Sequence, residues 1–365
     1  MATVRKRTWH NRNGEQTAWV ADYFDQEGRR HIKTFDKQKD VKAWLDETKI
    51  EVERGVHTPE RDSITVSEAA EIWLQKCELE KLERSTLRQY RGHVDHYIKP
   101  SRIGADKLAR LSTPAIEAFR DDLLKANSRA MTRKVLASLK SILGEAQRRG
   151  LVAQNAAQPV RVDIRRSEKS KLRVGRDLPS KEEVNAILEN AEGRWRPLLV
   201  TAIFTGLRSS ELRGLTWDDV DFERRVIHVR RRANLWGEMG APKSAAGERE
   251  IPMAPMVANT LREWKLACPK GDLSLVFPNG NGNVEYHSNI IERGLKPLQP
   301  KYGLHAYRHF FASWLIERGF SPKRVQALMG HSSIQMTFDV YGHLFPSLED
   351  DHAKFEAGER ALVGV

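Results

Sequence analysis

Two cysteines in 365 residues, Cys77 and Cys268, cannot build a disulfide framework or a thiolate metal centre. No run of about 18 uninterrupted apolar residues occurs, so the sequence predicts no membrane span. The opening residues, Met1 to Arg7, are basic and lack the apolar run of a secretion signal. These absences predict a cytoplasmic protein with no membrane partner. Acid is the other shortage. Asp and Glu number 49 against 61 Lys and Arg, giving a formal charge of +12. Such an excess makes a polyanion, DNA or RNA first, the expected partner. A merely basic soluble protein has the same totals, so the distribution of charge matters more than its sum. Hydrophobic residues at 40% and charged residues at 30% suit folded domains, and the length exceeds one ordinary core. Two or three domains are expected.

Residues 1–60 read as a small β-rich domain. Apolar and polar residues alternate over Ala18–Phe24 and again over His31–Phe35, with a turn signal at Asp25–Gly28, so the pair predicts a hairpin. A helix is expected from Lys37 to Arg54, with Val41, Trp44, Leu45 and Thr48 on one face. Basic residues gather at Arg5, Lys6, Arg7 and Arg12, and at Arg29, Arg30 and Lys33. Two readings fit them, a DNA-facing sheet and an ordinary solvated one.

Residues 61–160 read as a helical domain. Thr65 and Glu68 form a capping box, Ser85 is a candidate cap for a second helix, and Thr113 with Pro114 opens a third. A fourth, from about Ser128 to Arg149, turns Leu136, Leu139, Leu143 and Ala146 inward. Its expected outer face carries Arg129, Arg133, Lys134 and Lys140, with Glu145 its only acid. That face is a candidate phosphate-contacting surface. Residues 161–176, with Arg165 and Arg166 among seven cations, read as a basic linker.

Residues 177–365 read as a mixed α+β domain. Ser180 and Glu183 form another capping box, Val226–Val229 and Arg249–Pro252 read as strands, and a Gly-rich hairpin region between them carries Lys243 near its tip. Thr205-Gly206-Leu207-Arg208 is a turn followed by a helix start, where an Arg fork can join backbone N–H groups in holding an anion. In Leu304–His309 a spacing of three sets His305 and Arg308 on one side of a helix. No Cys and no His-Glu-x-x-His pattern accompanies them, so no metal site is expected. Gly330 closes a helix, Ser332 or Ser333 can cap the next, and His331 sits at that junction ahead of Tyr341. Each segment alone has a structural reading as a surface pair or a core tyrosine.

Together these segments resemble the tyrosine recombinase, or phage integrase, family. The family order of an Arg in Thr-Gly-Leu-Arg, a hairpin Lys, His-x-x-Arg, Gly-His and a Tyr shortly before Gly-His appears as Arg208, Lys243, His305 with Arg308, His331 and Tyr341. Tyr307 and Phe310 are bulkier than the residues common at their places, which bears on packing.

The resemblance implies a multidomain, mainly α fold with small sheets, in which a helical core-binding domain and a mixed α+β catalytic domain clamp duplex DNA. It implies site-specific cleavage through a 3′-phosphotyrosine on Tyr341, in integrating or excising a mobile element. A tyrosine hydroxyl, with a reference pKa of about 10, needs help to attack phosphorus. Arg208, Arg308 and His331 would hold the non-bridging oxygens, His305 would assist the attacking oxygen's proton, and Lys243 would protonate the departing 5′ oxygen. No cofactor is implied. The implied partners are attachment-site DNA, a homotetramer on that DNA and an accessory DNA-bending protein, with Leu348, Phe355 and Leu362 on a tail helix docked on a neighbour or on their own domain. A non-catalytic DNA-binding regulator and a type IB topoisomerase-like enzyme are the rival readings.

Overall fold

The alternation that predicts strands near the N-terminus extends further than one hairpin. In the computed structural model, which describes residues 2–11, 14–55, 57–163, 172–299, 301–345 and 348–363, three strands precede the first helix. They are β1 (Thr3–Asn11), β2 (Gly14–Phe24) and β3 (Arg30–Phe35), antiparallel in the order β1-β2-β3. β1 escapes sequence reading because its segment is polar on both faces. The chain divides into two compact units, Met1–Arg165 and Arg166–Val365.

In the first unit, one sheet face turns Ala21 and Tyr23 onto Val41 and Leu45 of α1 (Gln38–Glu53). Helices α2 (Val66–Leu79), α3 (Arg84–His93), the short α4 (Arg102–Ala105), α5 (Thr113–Ala126) and α6 (Arg129–Arg148) follow. Their apolar stripes meet in one core around Leu74, Ile98, Ile116, Leu139 and Ile142. The Thr65–Glu68 capping box forms as expected. Two caps differ: Glu83 precedes α3, which leaves Ser85 inside it, and Ser112 caps α5. Glu145 also departs from expectation. It is buried, and Lys76, Arg148 and Arg149 bond it, so it joins α2 to α6 rather than marking an outer face. Glu60 receives both Lys33 of β3 and Arg110, so ion pairs span the expected boundary at residue 60.

The second unit is built around α8 (Trp195–Thr205), apolar on nearly every side and buried from Pro197 to Ile203. A helix hydrophobic all round is a core helix. α7 (Lys181–Asn190) packs beside it, opened by the Ser180–Glu183 capping box. After α9 (Ser209–Arg213) come β4 (Val220–Asp221), β5 (Val226–Val229), the hairpin strands β6 (Arg232–Ala233) and β7 (Met239–Gly240), and β8 (Arg249–Pro252). β4, β5 and β8 form an antiparallel sheet in that order. α10 (Pro255–Ala267), a short α11 (His287–Asn289), α12 (Leu304–Glu317), α13 (Pro322–Met329), α14 (Ile334–Tyr341) and α15 (Leu348–Val363) complete it. α10 and α12 flank α8. Tyr307 and Phe310 of α12 are both core residues, so their bulk is spent on packing. Phe355 and Leu362 of α15 lie exposed.

Candidate active site

Three helix ends converge on one place in the second unit. α8 ends on Gly206 in the left-handed conformation (φ +59°), which only glycine adopts without strain. A Cβ there would also meet the Phe311 ring at 2.4 Å. The turn delivers Arg208 to the start of α9, where its backbone N–H bonds the Glu211 carboxylate at 2.8 Å. That helix start is thus capped by a carboxylate of its own first turn. α13 ends on Gly330, again left-handed (φ +62°), and presents its last carbonyls to the same place.

Those carbonyls hold arginines. Arg208 Nη2 donates to Gly330 O at 2.8 Å, Arg249 Nε to Leu328 O at 2.8 Å, and Arg308 to Met329 O. Arg308 Nη1 also donates to Gly206 O at 2.6 Å. Helix C-termini carry partial negative charge and unpaired carbonyls, so they suit guanidinium groups. Carboxylate is scarcer. Glu211 bonds Arg208 Nη1 at 2.8 Å and Arg249 Nη2 at 2.9 Å, and among the described residues Arg308 has no acidic partner. Burial disfavours the Glu211 carboxylate, but Arg249 and Arg208 outweigh it and keep its pKa below the usual range. One carboxylate thus bonds two of the three guanidiniums, and Arg308, 3% exposed, is made a weaker base by burial and by Arg208.

Tyr341 ends α14, 1% exposed, with its ring parallel to His331 at 6.3 Å between centroids. His331 is fixed by Thr337 Oγ1 at 3.0 Å from its Nδ1, and Ser333, not Ser332, caps α14. Burial raises the Tyr341 pKa to about 12, with Arg308 opposing. Burial, followed by Arg308, Arg208 and Arg249, lowers His331 to about 4. His305 faces solvent and is lowered too, by partial desolvation and by Arg308 and Arg208. The hydroxyl of Tyr341 lies against a different histidine. His309 Nδ1 is 2.7 Å from it, and His305 meets the His309 ring edge-on at 4.5 Å.

Arg208, Arg308, His331 and Tyr341 are therefore brought together. Lys243 is exposed and does not sit at the hairpin tip, which is the turn Asn234–Glu238. Pro242, lacking an N–H, cannot continue the β7 ladder, so Lys243 falls in the following loop. Sequence reading gave no role to Glu211, Arg249, His309 or Thr337. Glu211 lies three residues after Arg208, and His309 follows Arg308 directly, but Arg249 carries no local signal because its partners lie 38 and 79 residues away.

The candidate DNA-contacting cations are scattered over the first unit. Arg5 and Arg30 share the open sheet face, both paired with Asp22, whereas alternation puts Lys6 on the face toward α1. Arg29 is exposed and pairs with Glu27 at 2.6 Å. On α6, Arg129 donates to Asp163 O and Lys140 to Gln158 O, so both tie down the chain that follows, beside a half-buried Arg133. Arg165 and Arg166 lie outside the described residues. Among the described residues no group of three or more His, Cys, Asp or Glu is arranged to hold a metal, and no helix is long and apolar enough to cross a membrane.

The geometry agrees with comparison to known proteins. Residues 179–347 match the phage integrase family. That span is a phage integrase family domain. The chain is 28% identical to a XerC-like tyrosine recombinase of Caldanaerobacter subterraneus subsp. tengcongensis, over 94% of this chain and 96% of that one. Its fold is that of the Tn1549 transposon integrase solved with circular intermediate DNA, with a TM-score of 0.65 and 22% identity over 81% of this chain and 99% of that one. It is likewise similar to a λ integrase tetramer bound to a Holliday junction, with a TM-score of 0.58 and 17% identity over 89% of this chain and 95% of that one. The chain is accordingly a DNA strand-breaking and rejoining enzyme, a site-specific recombinase of the kind carried by mobile elements.

Proposed function

We propose that Tyr341 Oη attacks the scissile phosphorus, forming a 3′-phosphotyrosine and releasing a 5′ hydroxyl. The observation that carries this assignment is a buried phenol stacked on His331 and acted on by Arg308, in a site where one carboxylate, Glu211, bonds Arg208 and Arg249 and, among the described residues, no acid bonds Arg308. Positive charge left uncompensated around a hydroxyl suits a transition state that gathers negative charge on phosphorus oxygens. Arg208 and Arg308 bind the non-bridging oxygens through guanidinium N–H groups that the carbonyls leave unused, and His331 adds a third donor through Nε2. Lys243, on its exposed loop, protonates the departing 5′ oxygen. The phosphodiester energy is kept in the covalent bond, so religation needs no nucleotide.

The substrate is double-stranded DNA at attachment sites, and the working form is a homotetramer on two duplexes, in keeping with the DNA-bound assemblies of its structural relatives. Reaction in the cytoplasm, with an accessory DNA-bending protein, fits that role. Arg5, Arg30 and Arg133 are the cations best placed to meet phosphates in the first unit, with Arg165 and Arg166 following from their charge alone.

A nicked suicide substrate bearing the attachment site tests the assignment. Wild type should form a covalent protein–DNA adduct and Tyr341→Phe should form none while binding the same DNA. An adduct from the Phe variant would assign the nucleophile elsewhere, and binding without an adduct from either protein would favour a non-catalytic regulator.

A further inference from the structure

The Tyr341 hydroxyl must lose a proton when it attacks phosphorus, and it is shut away from solvent. Its neighbourhood therefore has to supply the acceptor. Among the described residues the hydroxyl has one hydrogen-bond partner, His309 Nδ1 at 2.7 Å. Both groups are fixed. Tyr341 packs with Phe311, Leu315 and Met329, and His309 is held in the middle of α12, its ring 5.7 Å from the phenol.

The direction of that hydrogen bond follows from burial. If Nδ1–H donated to the phenol oxygen, the phenol's own hydrogen would have no acceptor, and a buried donor left unpaired is costly. The phenol O–H therefore donates to an unprotonated Nδ1, and the ring's hydrogen sits on Nε2. The same geometry that satisfies the resting hydroxyl is the geometry needed for proton transfer.

Resting on the assignment of Tyr341 as nucleophile, we propose that His309 is the general base that takes the Tyr341 proton during DNA cleavage and returns it during religation. As the Oη–P bond forms and the P–O5′ bond breaks, the phenol proton passes to His309 Nδ1 and the departing O5′ takes a proton from Lys243. In religation the 5′ hydroxyl gives its proton back to the Lys243 amine. The His309 imidazolium then reprotonates Oη as the phosphotyrosine bond breaks.

The groups around His309 define when the transfer occurs. His305 lies on the same helix, Arg308 is its neighbour, His331 and Tyr341 face it from α14 and the turn before it, and Asp177 acts from the segment ahead of α7. Burial, then His305 and Arg308, lower His309 to about 4, and Asp177 opposes them. His309 is therefore neutral and able to accept at pH 7. With Tyr341 near 12, transfer before bond formation is far uphill, so the proton moves only as phosphorus draws charge from the phenol oxygen. The arriving phosphodiester brings the negative charge that stabilises the imidazolium.

The test measures single-turnover cleavage against pH on a substrate whose scissile 5′ oxygen is replaced by sulfur, which removes the need for a proton donor at the leaving group. Wild type should give a rate that is flat between pH 6 and 8.5. His309→Gln, whose amide can bond the phenol but cannot carry its proton away, should slow cleavage at pH 7 by about a hundredfold or more. The variant's rate should climb close to tenfold per pH unit. A difluorotyrosine at position 341, more acidic than tyrosine, should recover much of the loss. A His309→Gln rate within threefold of wild type overturns the proposal, as does a loss that neither high pH nor the fluorinated tyrosine relieves. If His309→Gln does not fold, the native enzyme decides: a rate already climbing tenfold per unit excludes a resident base. Failure of the nucleophile assignment looks different, since Tyr341→Phe would then still form an adduct.

Discussion

At the scale of single residues, the site's histidines tie chemistry to stability. His309 and His331 are each held at about 4 by burial and neighbouring cations, against about 6.5 for an exposed imidazole. A folded-state pKa below the unfolded one means that the unfolded chain binds protons first as pH falls. Stability is then complete above about 6.5 and is lost on the way down to about 4, by up to about 1.4 kcal/mol per pH unit for each group. The second unit should therefore melt at lower temperature at pH 5 than at pH 7, and His309→Gln should flatten that dependence. Calorimetry of the protein at several pH values checks it, and an unchanged melting temperature from pH 7 to 5 would contradict buried neutral imidazoles. Tyr341, pushed up to about 12, keeps its proton throughout this range.

At the scale of elements, the two helix ends at Gly206 and Gly330 do the positioning. Gly206→Ala would force a side chain into left-handed backbone and against Phe311, and would move the carbonyl that holds Arg308. Left-handed strain of about 1–2 kcal/mol and overpacking of about 1–3 kcal/mol predict a loss of roughly 2–5 kcal/mol. Urea unfolding should show it, with cleavage reduced in the fraction that remains folded. A fall of less than 0.5 kcal/mol, on the order of an ordinary surface change, would mean that the turn is not demanding. Much of this architecture was legible beforehand. The capping boxes at Thr65 and Ser180 announce their helices because their partners lie three residues away. Arg208, Arg308, His331 and Tyr341, each in a local motif, are brought together by the fold, whereas His305 stays at the surface. Glu145 was misplaced, since an acid on a cationic helix reads as exposed until the fold shows Lys76 beside it. Arg249, His309 and the seat of Lys243 stayed hidden for a related reason. Their meaning depends on which helix end or strand comes to lie next to them, and no spacing rule encodes that.

For the molecule as a whole, the charge of +12 sets the behaviour on DNA. Binding that neutralises six or more phosphates should weaken by about a thousandfold between 50 and 200 mM salt. Anisotropy with labelled duplex over that range measures it, and affinity insensitive to salt would remove backbone contacts as the main source of binding. The same excess has a second consequence inside the catalytic unit. Three guanidiniums anchored largely on neutral carbonyl oxygens leave a fold finished in shape but not in charge. A phosphodiester entering that space completes an inventory of ions as much as it occupies a cleft. On the proposed assignment the substrate phosphate is a late-arriving part of the core, so DNA should stabilise the fold for the reason a structural ion does.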